Sequence, residues 1–340
     1  DRLNILNNST YGVSHRGGGI SSQNSPNLRV SNCLIQGNSS DIGGAIYSGY
    51  AGSIVAEGNI IKSNISESFG GALSIESVQG YFSHNTFVEN TTNGEGQAIH
   101  LGENSSMDMA FNSIYSSSPS NSTISQTSGS NLNIENSILW GATNFQVSVL
   151  SAAENCTTAI SYSDIKNGLL GLDDPAGILE LLWGDGNLNE NPAFSNGANL
   201  RLTSISPCID AGNPDYDSDG DSWEIDTDDQ DPDGSRLDMG AHYYDQTLGS
   251  SGTVWHVSTE GSDEEGDGSI SNPFETIQHG INQASQSDTI QIHSGTFRPT
   301  SHLTIDKSIS FVGYGSPQPT ISLDSASIHA NLWNDSQIET

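Results

Sequence analysis

Short apolar runs recur along the first half of the chain at a fixed spacing. Ile20, Ile46, Leu73 and Ile99 close the words Gly-Gly-Gly-Ile, Gly-Gly-Ala-Ile, Gly-Gly-Ala-Leu and Gly-Gln-Ala-Ile, at steps of 26, 27 and 26 residues. A second series places Asn32, Asn59, Asn85, Asn112 and Asn136 one or two residues before Leu34, Ile61, Phe87, Ile114 and Ile138, at steps of 27, 26, 27 and 24. A third reads apolar-x-x-Asn: Ile35 to Asn38, Ile61 to Asn64, Phe87 to Asn90. The apolar runs are short, alternating and rich in Ile and Val, with Gly, Asn and Ser between them, which predicts strands rather than helices. A fixed period of this length predicts a solenoid whose units bury their apolar faces on one another. The expected architecture is therefore all-β: a parallel coil that makes one turn every 26 residues or so, with turns stacked at about 4.8 Å.

The residue types suit sharp corners. Gly and Asn tolerate the left-handed backbone needed there, and stacked Asn side chains can bond one another along the coil. The pattern covers roughly residues 15–170, since Ile138 and Ile165 keep a spacing of 27. Ser116 to Ser130 loses it, which predicts a loop in one turn.

From about Gly184 the periodicity stops. Gly186-Asn187-Leu188, Asn191-Pro192-Ala193-Phe194, Leu200-Arg201-Leu202, Ser206-Pro207-Cys208-Ile209-Asp210-Ala211-Gly212 and Asp238-Met239-Gly240-Ala241 follow in order. A Gly/Ser stretch comes next. Beyond it Val254 to Asp263, Asp288 to Ile292 and Ser308 to Gly313 read as new strands. Asn272-Pro273-Phe274-Glu275 reads as a helix start, with Asn capping, Pro at the first position and Glu at the third. Phe274, Ile277, Ile281 and Ala284 give it an apolar stripe. The expected organisation is the last turns of one β-helix over 1–183, a closing segment over 184–248, a linker over 249–253, and the cap and first turns of a second β-helix over 254–340.

Gly70-Gly71-Ala72-Leu73, taken with Phe87-Val88-Glu89-Asn90, resembles the GGA[ILV] and FxxN repeat of polymorphic outer-membrane proteins. More broadly the chain resembles secreted right-handed parallel β-helices with the pectin-lyase-like fold. The words after Gly184 are similar to the closing segment of bacterial surface β-helix proteins, and the stretch after Val254 to the opening of another such helix, where a short amphipathic helix plugs the core. The resemblance implies a secreted or cell-surface protein, bacterial and outer-membrane-associated, and a fragment of a longer multidomain chain.

Nine Lys and Arg face 41 Asp and Glu, a net charge of −32. That balance argues against nucleic acid and anionic membrane as partners, because both require basic patches. No apolar run approaches the roughly 20 residues of a membrane-spanning helix. Cys33, Cys156 and Cys208 are too few and too scattered for a disulfide framework and read as small packed residues.

Thirteen of the acidic residues lie between Asp210 and Asp245, with Arg236 the one Lys or Arg among them. Asp215-Tyr216-Asp217-Ser218-Asp219-Gly220 is a D-x-D-x-D-G loop, with Asp221 at position 7 and Asp226 at position 12. Alternate Asp side chains around a Gly turn can supply the oxygens that Ca²⁺ requires. Pro207, Pro214 and Pro232 argue against flanking EF-hand helices. A second match starts at Asp229 and continues through Asp231 and Asp233, with Asp228 or Asp238 to complete it. The sequence thus predicts Ca²⁺ ligands among Asp215, Asp217, Asp219, Asp221, Asp226, Asp229, Asp231 and Asp233. Glycosylation triplets at Asn38, Asn64, Asn90 and Asn104 coincide with the turn ladder and are read as part of it.

A catalytic reading centres on the strands after the Gly-rich words. Alternation turns Ser21, Tyr47, Ser74 and His100 outward in one line, with Glu76 beside Ser74. Sugar sites on pectin-lyase-like folds lie on such a face. Tyr47, Ser74 and His100 could contact a sugar, and Glu76 with His100 could serve as base and acid. Pectate-lyase-like enzymes pair Ca²⁺-binding carboxylates with a basic residue, and no Arg or Lys is expected near this line. The paired Asp motifs and Gly-His-Gly word of polygalacturonase-like enzymes are absent. His15, His84 and His256 are isolated.

The favoured expectation is a calcium-stabilised surface β-helix with a structural, adhesive or glycan-binding role, leaning away from catalysis. The alternative is a polysaccharide lyase or glycoside hydrolase acting on acidic polysaccharide.

Overall fold

The computed structural model describes residues 3–10, 15–25, 27–50, 52–117, 122–141, 145–150, 154–175, 177–195, 199–246, 254–284, 288–305, 307, 309–315, 317–322 and the backbone of 328–330. They fall into two compact units, Asp1–Tyr244 and Asp245–Thr340. The Gly/Ser linker at 249–253 lies outside the described residues.

The first unit is a parallel β-helix of the right-handed type. One turn runs through the strands Leu34–Gln36, Ser39–Ile42, Ile46–Gly49 and Ser53–Glu57, and the next turn begins at Ile60. Stacking produces three seven-stranded sheets and one of three strands. We call the sheet of Leu34–Gln36 the first, that of Ile46–Gly49 the second and that of Ser53–Glu57 the third. Each strand pairs in register with its equivalent one turn away, so alternation sends one row of side chains inward. In the first sheet this row is Ile5, Ile35, Ile61, Phe87, Ile114, Leu139 and Ile165. From Ile35 onward every member is buried.

The Gly-Gly word has a steric cause. Its first glycine turns the corner in the left-handed region, at φ 67° for Gly43 and 62° for Gly70. Its second lies against the following turn: a Cβ on Gly44 would stand 2.1 Å from the Gly71 carbonyl oxygen.

Two buried side-chain ladders run along the coil. In one, Asn38 Nδ2 donates to Asn64 Oδ1 (3.0 Å) and Asn64 Nδ2 to Asn90 Oδ1 (2.9 Å). Asn38, Asn64 and Asn90 are at most 1% exposed, so these triplets have no room for a glycan. In the other, Asn59 Nδ2 donates to Asn85 Oδ1 (2.9 Å) and Asn85 Nδ2 to Asn112 Oδ1 (3.0 Å). The ends of this ladder differ from expectation. Cys33 N bonds Asn59, while Ser137 and Ser163 continue the series below Asn112. Asn32 and Asn136 stand one residue earlier, at the corners, with φ of 52° and 47°. The uneven steps of 27 and 24 in the sequence mark this offset.

The turn expected to carry a loop keeps its strands in the three large sheets. Ser113–Ser116, Ser122–Gln126 and Asn131–Glu135 hold their places in the three sheets; residues 118–121 lie outside the described residues. Its apolar signal is weak because Ser122–Gln126 is buried along its whole length while carrying polar side chains. Thr123 bonds Gln146 (3.0 Å), and Gln126 accepts from Thr158 (2.5 Å).

The segment after Trp183 belongs to this unit and folds back as a strap along the outside of the first sheet. The outward row there includes Thr86, Ser113, Ile138 and Asp164. Glu190 N donates to Asp164 (3.1 Å), Ala241 N to Ser113 Oγ (2.9 Å), and His242 shares a hydrogen bond with Thr86 (3.2 Å). Leu202, Cys208 and Met239 pack with Ile138 into a small separate core. Cys33, Cys156 and Cys208 are buried and free.

The second unit has its own core of Val257, Phe274, Ile277, Ile281, Ala284, Ile290, Ile292, Phe297, Leu303, Ile305 and Ile309. Val254–Val257, Thr289–His293 and Ser310–Tyr314 form a parallel sheet in successive turns. The helix spans Ile277–Gln283 and is capped by Thr276, not Asn272. Asn272 to Glu275 are needed elsewhere: Phe274 N donates to His256 O (2.9 Å), and Asp263 takes the amides of Glu275 and Thr276. The apolar stripe is buried as the sequence predicts. No helix among the described residues is long and apolar enough to cross a membrane.

Candidate metal centre

The strap crosses a corner of the coil, and the acidic loop hangs from that crossing. Asn213 N donates to Asn136 Oδ1 and Asn213 Nδ2 to Glu135 Oε1, both at 2.7 Å. Tyr216 sets its ring edge-on to Phe111 at 5.1 Å, and Phe111 stacks on His84 at 5.0 Å. Between these anchors the Asp side chains fold the backbone into tight turns. Asp219 N donates to Asp217 Oδ1 (3.2 Å), Gly220 N to Asp215 Oδ1 (3.2 Å) and Asp221 N to Asp219 Oδ1 (2.8 Å). Asp226 then caps a short 3₁₀ turn at Thr227–Asp229 by accepting from Asp228 N (3.0 Å), which brings the turn against the loop.

Two groups of carboxylates result. Asp215, Asp217 and Asp229 each place one oxygen within 4.8 Å of the others, and so do Asp217, Asp219 and Asp226. Asp229 is fully buried. Its Oδ1 accepts from Tyr216 N at 2.5 Å. Its Oδ2, like Asp226 Oδ2, is buried with no hydrogen-bond partner among the described residues. Desolvation first, then the charges of Asp219, Asp226 and Asp229, push the Asp217 carboxyl above its ordinary range.

Of the eight predicted ligands, the structure gathers Asp215, Asp217, Asp219, Asp226 and Asp229. Asp226, at position 12 of the loop, lies with Asp217 and Asp219. Asp229, read from sequence as the start of a second loop, reaches back to the first. Asp221, Asp231 and Asp233 join neither group among the described residues. Asp231 instead accepts from Asp238 N (2.8 Å), and Asp233 from Ser235. Burial, reinforced by neighbouring carboxylates, raises Asp231 to about 8 and Asp238 to about 6.

No protein-family model, curated protein or solved structure matches the chain.

The sheet face read as a sugar site is arranged differently from expectation. Ser21, Tyr47, Ser74 and His100 do stand in one register row. Only Ser21 is exposed; Tyr47, Ser74 and His100 are 1%, 2% and 7% exposed. His100 stacks on Phe69 at 4.5 Å and shares a hydrogen bond with Ser125 (2.8 Å). Burial lowers it to about 4. Glu76 is occupied at both oxygens, accepting from Tyr47 (2.8 Å) and Tyr50 (2.6 Å). Burial first, then Glu76, pushes the Tyr47 hydroxyl up.

A basic residue is present on this face after all. Arg16 donates to Tyr47 Oη (2.6 Å), lies 4.7 Å over its ring and stands 3.6 Å from Glu76. Its signal was in the spacing: Arg16 precedes Ile20 by the same four residues as Ile42 precedes Ile46, and it pairs with Ile42 one turn away. Together Arg16, Tyr47, Tyr50 and Glu76 brace three successive turns.

Proposed function

We propose that this chain is a rigid structural element of a secreted or bacterial cell-surface protein, presenting an acidic flank for adhesion or glycan contact, with calcium holding its strap. The observation that carries this reading is the engagement of the sheet-face groups in the fold itself. Glu76 takes two tyrosine hydroxyls, His100 is buried, and Arg16 is tied to both Tyr47 and Glu76. Groups so committed brace the coil. A base or acid needs an accessible oxygen or ring nitrogen within reach of substrate. The net charge of −32, the β-helix and the likeness of its Gly-Gly-Ala and Phe-x-x-Asn words to surface-protein repeats support the placement outside the cell. The charge also favours bound cations.

The test is incubation with a panel of acidic and neutral polysaccharides. The expected result is saturable retention on one or more of them with no product. Product formation that disappears in Glu76→Gln would overturn the reading in favour of a lyase or hydrolase.

A further inference from the structure

We infer that Asp215, Asp217 and Asp229 form a Ca²⁺ site whose buried ligand is Asp229, and that the ion locks the strap onto the coil. This deepens the calcium part of the reading above and rests on it. The acidity of the loop would not by itself carry the inference; the state of Asp229 does. It is fully buried, and its Oδ2 has no hydrogen-bond partner among the described residues. An unpaired carboxylate oxygen withdrawn from water is strongly unfavourable unless a cation or donor meets it. Arg236, the one Lys or Arg between Asp210 and Asp245, donates to the Gly212 carbonyl rather than to Asp229. What does face Asp229 is two more carboxylates, each with an oxygen within 4.8 Å.

The chemistry selects the ion. The donors are all hard oxygens, which suits Ca²⁺ or Mg²⁺ and not the softer metals that seek imidazole or thiolate. Ca²⁺ accepts a flexible shell of six to eight oxygens, whereas Mg²⁺ demands near-ideal octahedral geometry and sheds water reluctantly, so an irregular carboxylate trio suits Ca²⁺ better. Backbone carbonyls and water can complete the shell.

The ion would act at a distance through Asp229. The same carboxylate holds Tyr216 N, and the Tyr216 ring rests on Phe111 at the coil corner. Neutralising the trio therefore fixes the loop, the loop fixes Tyr216, and Tyr216 fixes the strap.

The experiment is calorimetric titration of the chelator-stripped full chain with CaCl₂, alongside limited proteolysis with and without chelator. Saturable Ca²⁺ binding and Ca²⁺-dependent protection of Asp215 to Asp233 are expected. Asp229→Asn keeps an acceptor for Tyr216 N but removes charge, and should weaken binding at least about tenfold. Glu57→Gln, on an exposed part of the coil, should leave it unchanged. No binding in the wild-type chain, or an unaltered Kd in Asp229→Asn, would overturn the site while leaving the structural role standing. Polysaccharide cleavage by a chain that binds Ca²⁺ in this way would overturn the structural role and leave the site standing.

Discussion

The coil and its strap use the same polar vocabulary to opposite ends. In the coil, a buried amide such as Asn85 meets its own kind one turn away: its Oδ1 accepts from Asn59, and its Nδ2 donates to Asn112 and to the Ala56 carbonyl. Along the ladder repetition supplies the partner, because each turn presents the same amide to the next. The strap has no repeat. Its buried carboxylates meet other carboxylates, and two of their oxygens end without a partner among the described residues. Carboxylates that face one another repel unless a cation lies between them.

The sharpest way to break this comparison is to empty the coil. Phe87 is fully buried in the inner row of the first sheet. Phe87→Ala should cost about 3–5 kcal/mol. Urea unfolding should show that loss equally with Ca²⁺ and with chelator; a loss confined to chelator would mean that coil and strap are not energetically separate.

A second prediction uses pH, where a group inside the coil and one beneath the strap should respond with opposite sign. His100 in the coil is held neutral, its pKa lowered by burial to about 4 from an ordinary 6.5. The unfolded chain binds the proton more readily, so this group's contribution is complete above about pH 6.5 and is lost as pH falls toward 4, up to about 3 kcal/mol. Asp164 lies under the strap, beside Cys208 Sγ at 3.4 Å, and burial raises it from 3.8 to about 6. Here the folded state binds the proton more tightly. The contribution is complete below about pH 3.8 and is lost as pH rises through 6, by a similar amount. Both transitions fall between about pH 4 and 6.5 with opposite slope, so in that window His100→Gln should tilt a stability profile toward loss with rising pH and Asp164→Asn toward gain. An unchanged slope in both variants would show that neither burial acts as described.

The smallest effect is expected at the surface. Arg29 and Glu57 pair at 2.5 Å across adjacent turns, but their side chains are 64% and 47% exposed. Arg29→Ala should change stability by less than about 1 kcal/mol. A larger thermal shift would mean that exposed turn-to-turn pairs matter more to the coil than its ladders do.

What could be read from the chain follows the same division. Ile35, Ile61 and Phe87 announce the inner row because each carries the same instruction at the same spacing, and Asn38, Asn64 and Asn90 announce their ladder for the same reason. Asn32 and Asn136 misled because residue type outweighed register. Asn suits both a corner and a ladder, and here it turns the corner while Cys33 and Ser137 fill the ladder. Ser122–Gln126 hid a complete strand because its buried positions are satisfied by polar partners rather than apolar ones. The return of the strap was not legible at all: the bond from Ala241 N to Ser113 Oγ spans 128 residues, and no local pattern encodes such a meeting. Five of the eight predicted calcium ligands converge, and Asp229 does so from outside the loop motif.

The paired glycines have a further consequence. Gly18 faces the Gly44 carbonyl, Gly44 that of Gly71, and Gly71 that of Gln97, each at a distance that leaves no space for a side chain. Each of these windings is thereby docked on its successor at one fixed point. Where the paired glycines persist, one winding takes 26 or 27 residues; beyond Gln97, where that contact ends, Ile124 follows Ile99 by 25 residues and Val147 follows Ile124 by 23. The spacing that first exposes the architecture thus holds as far as that glycine contact does.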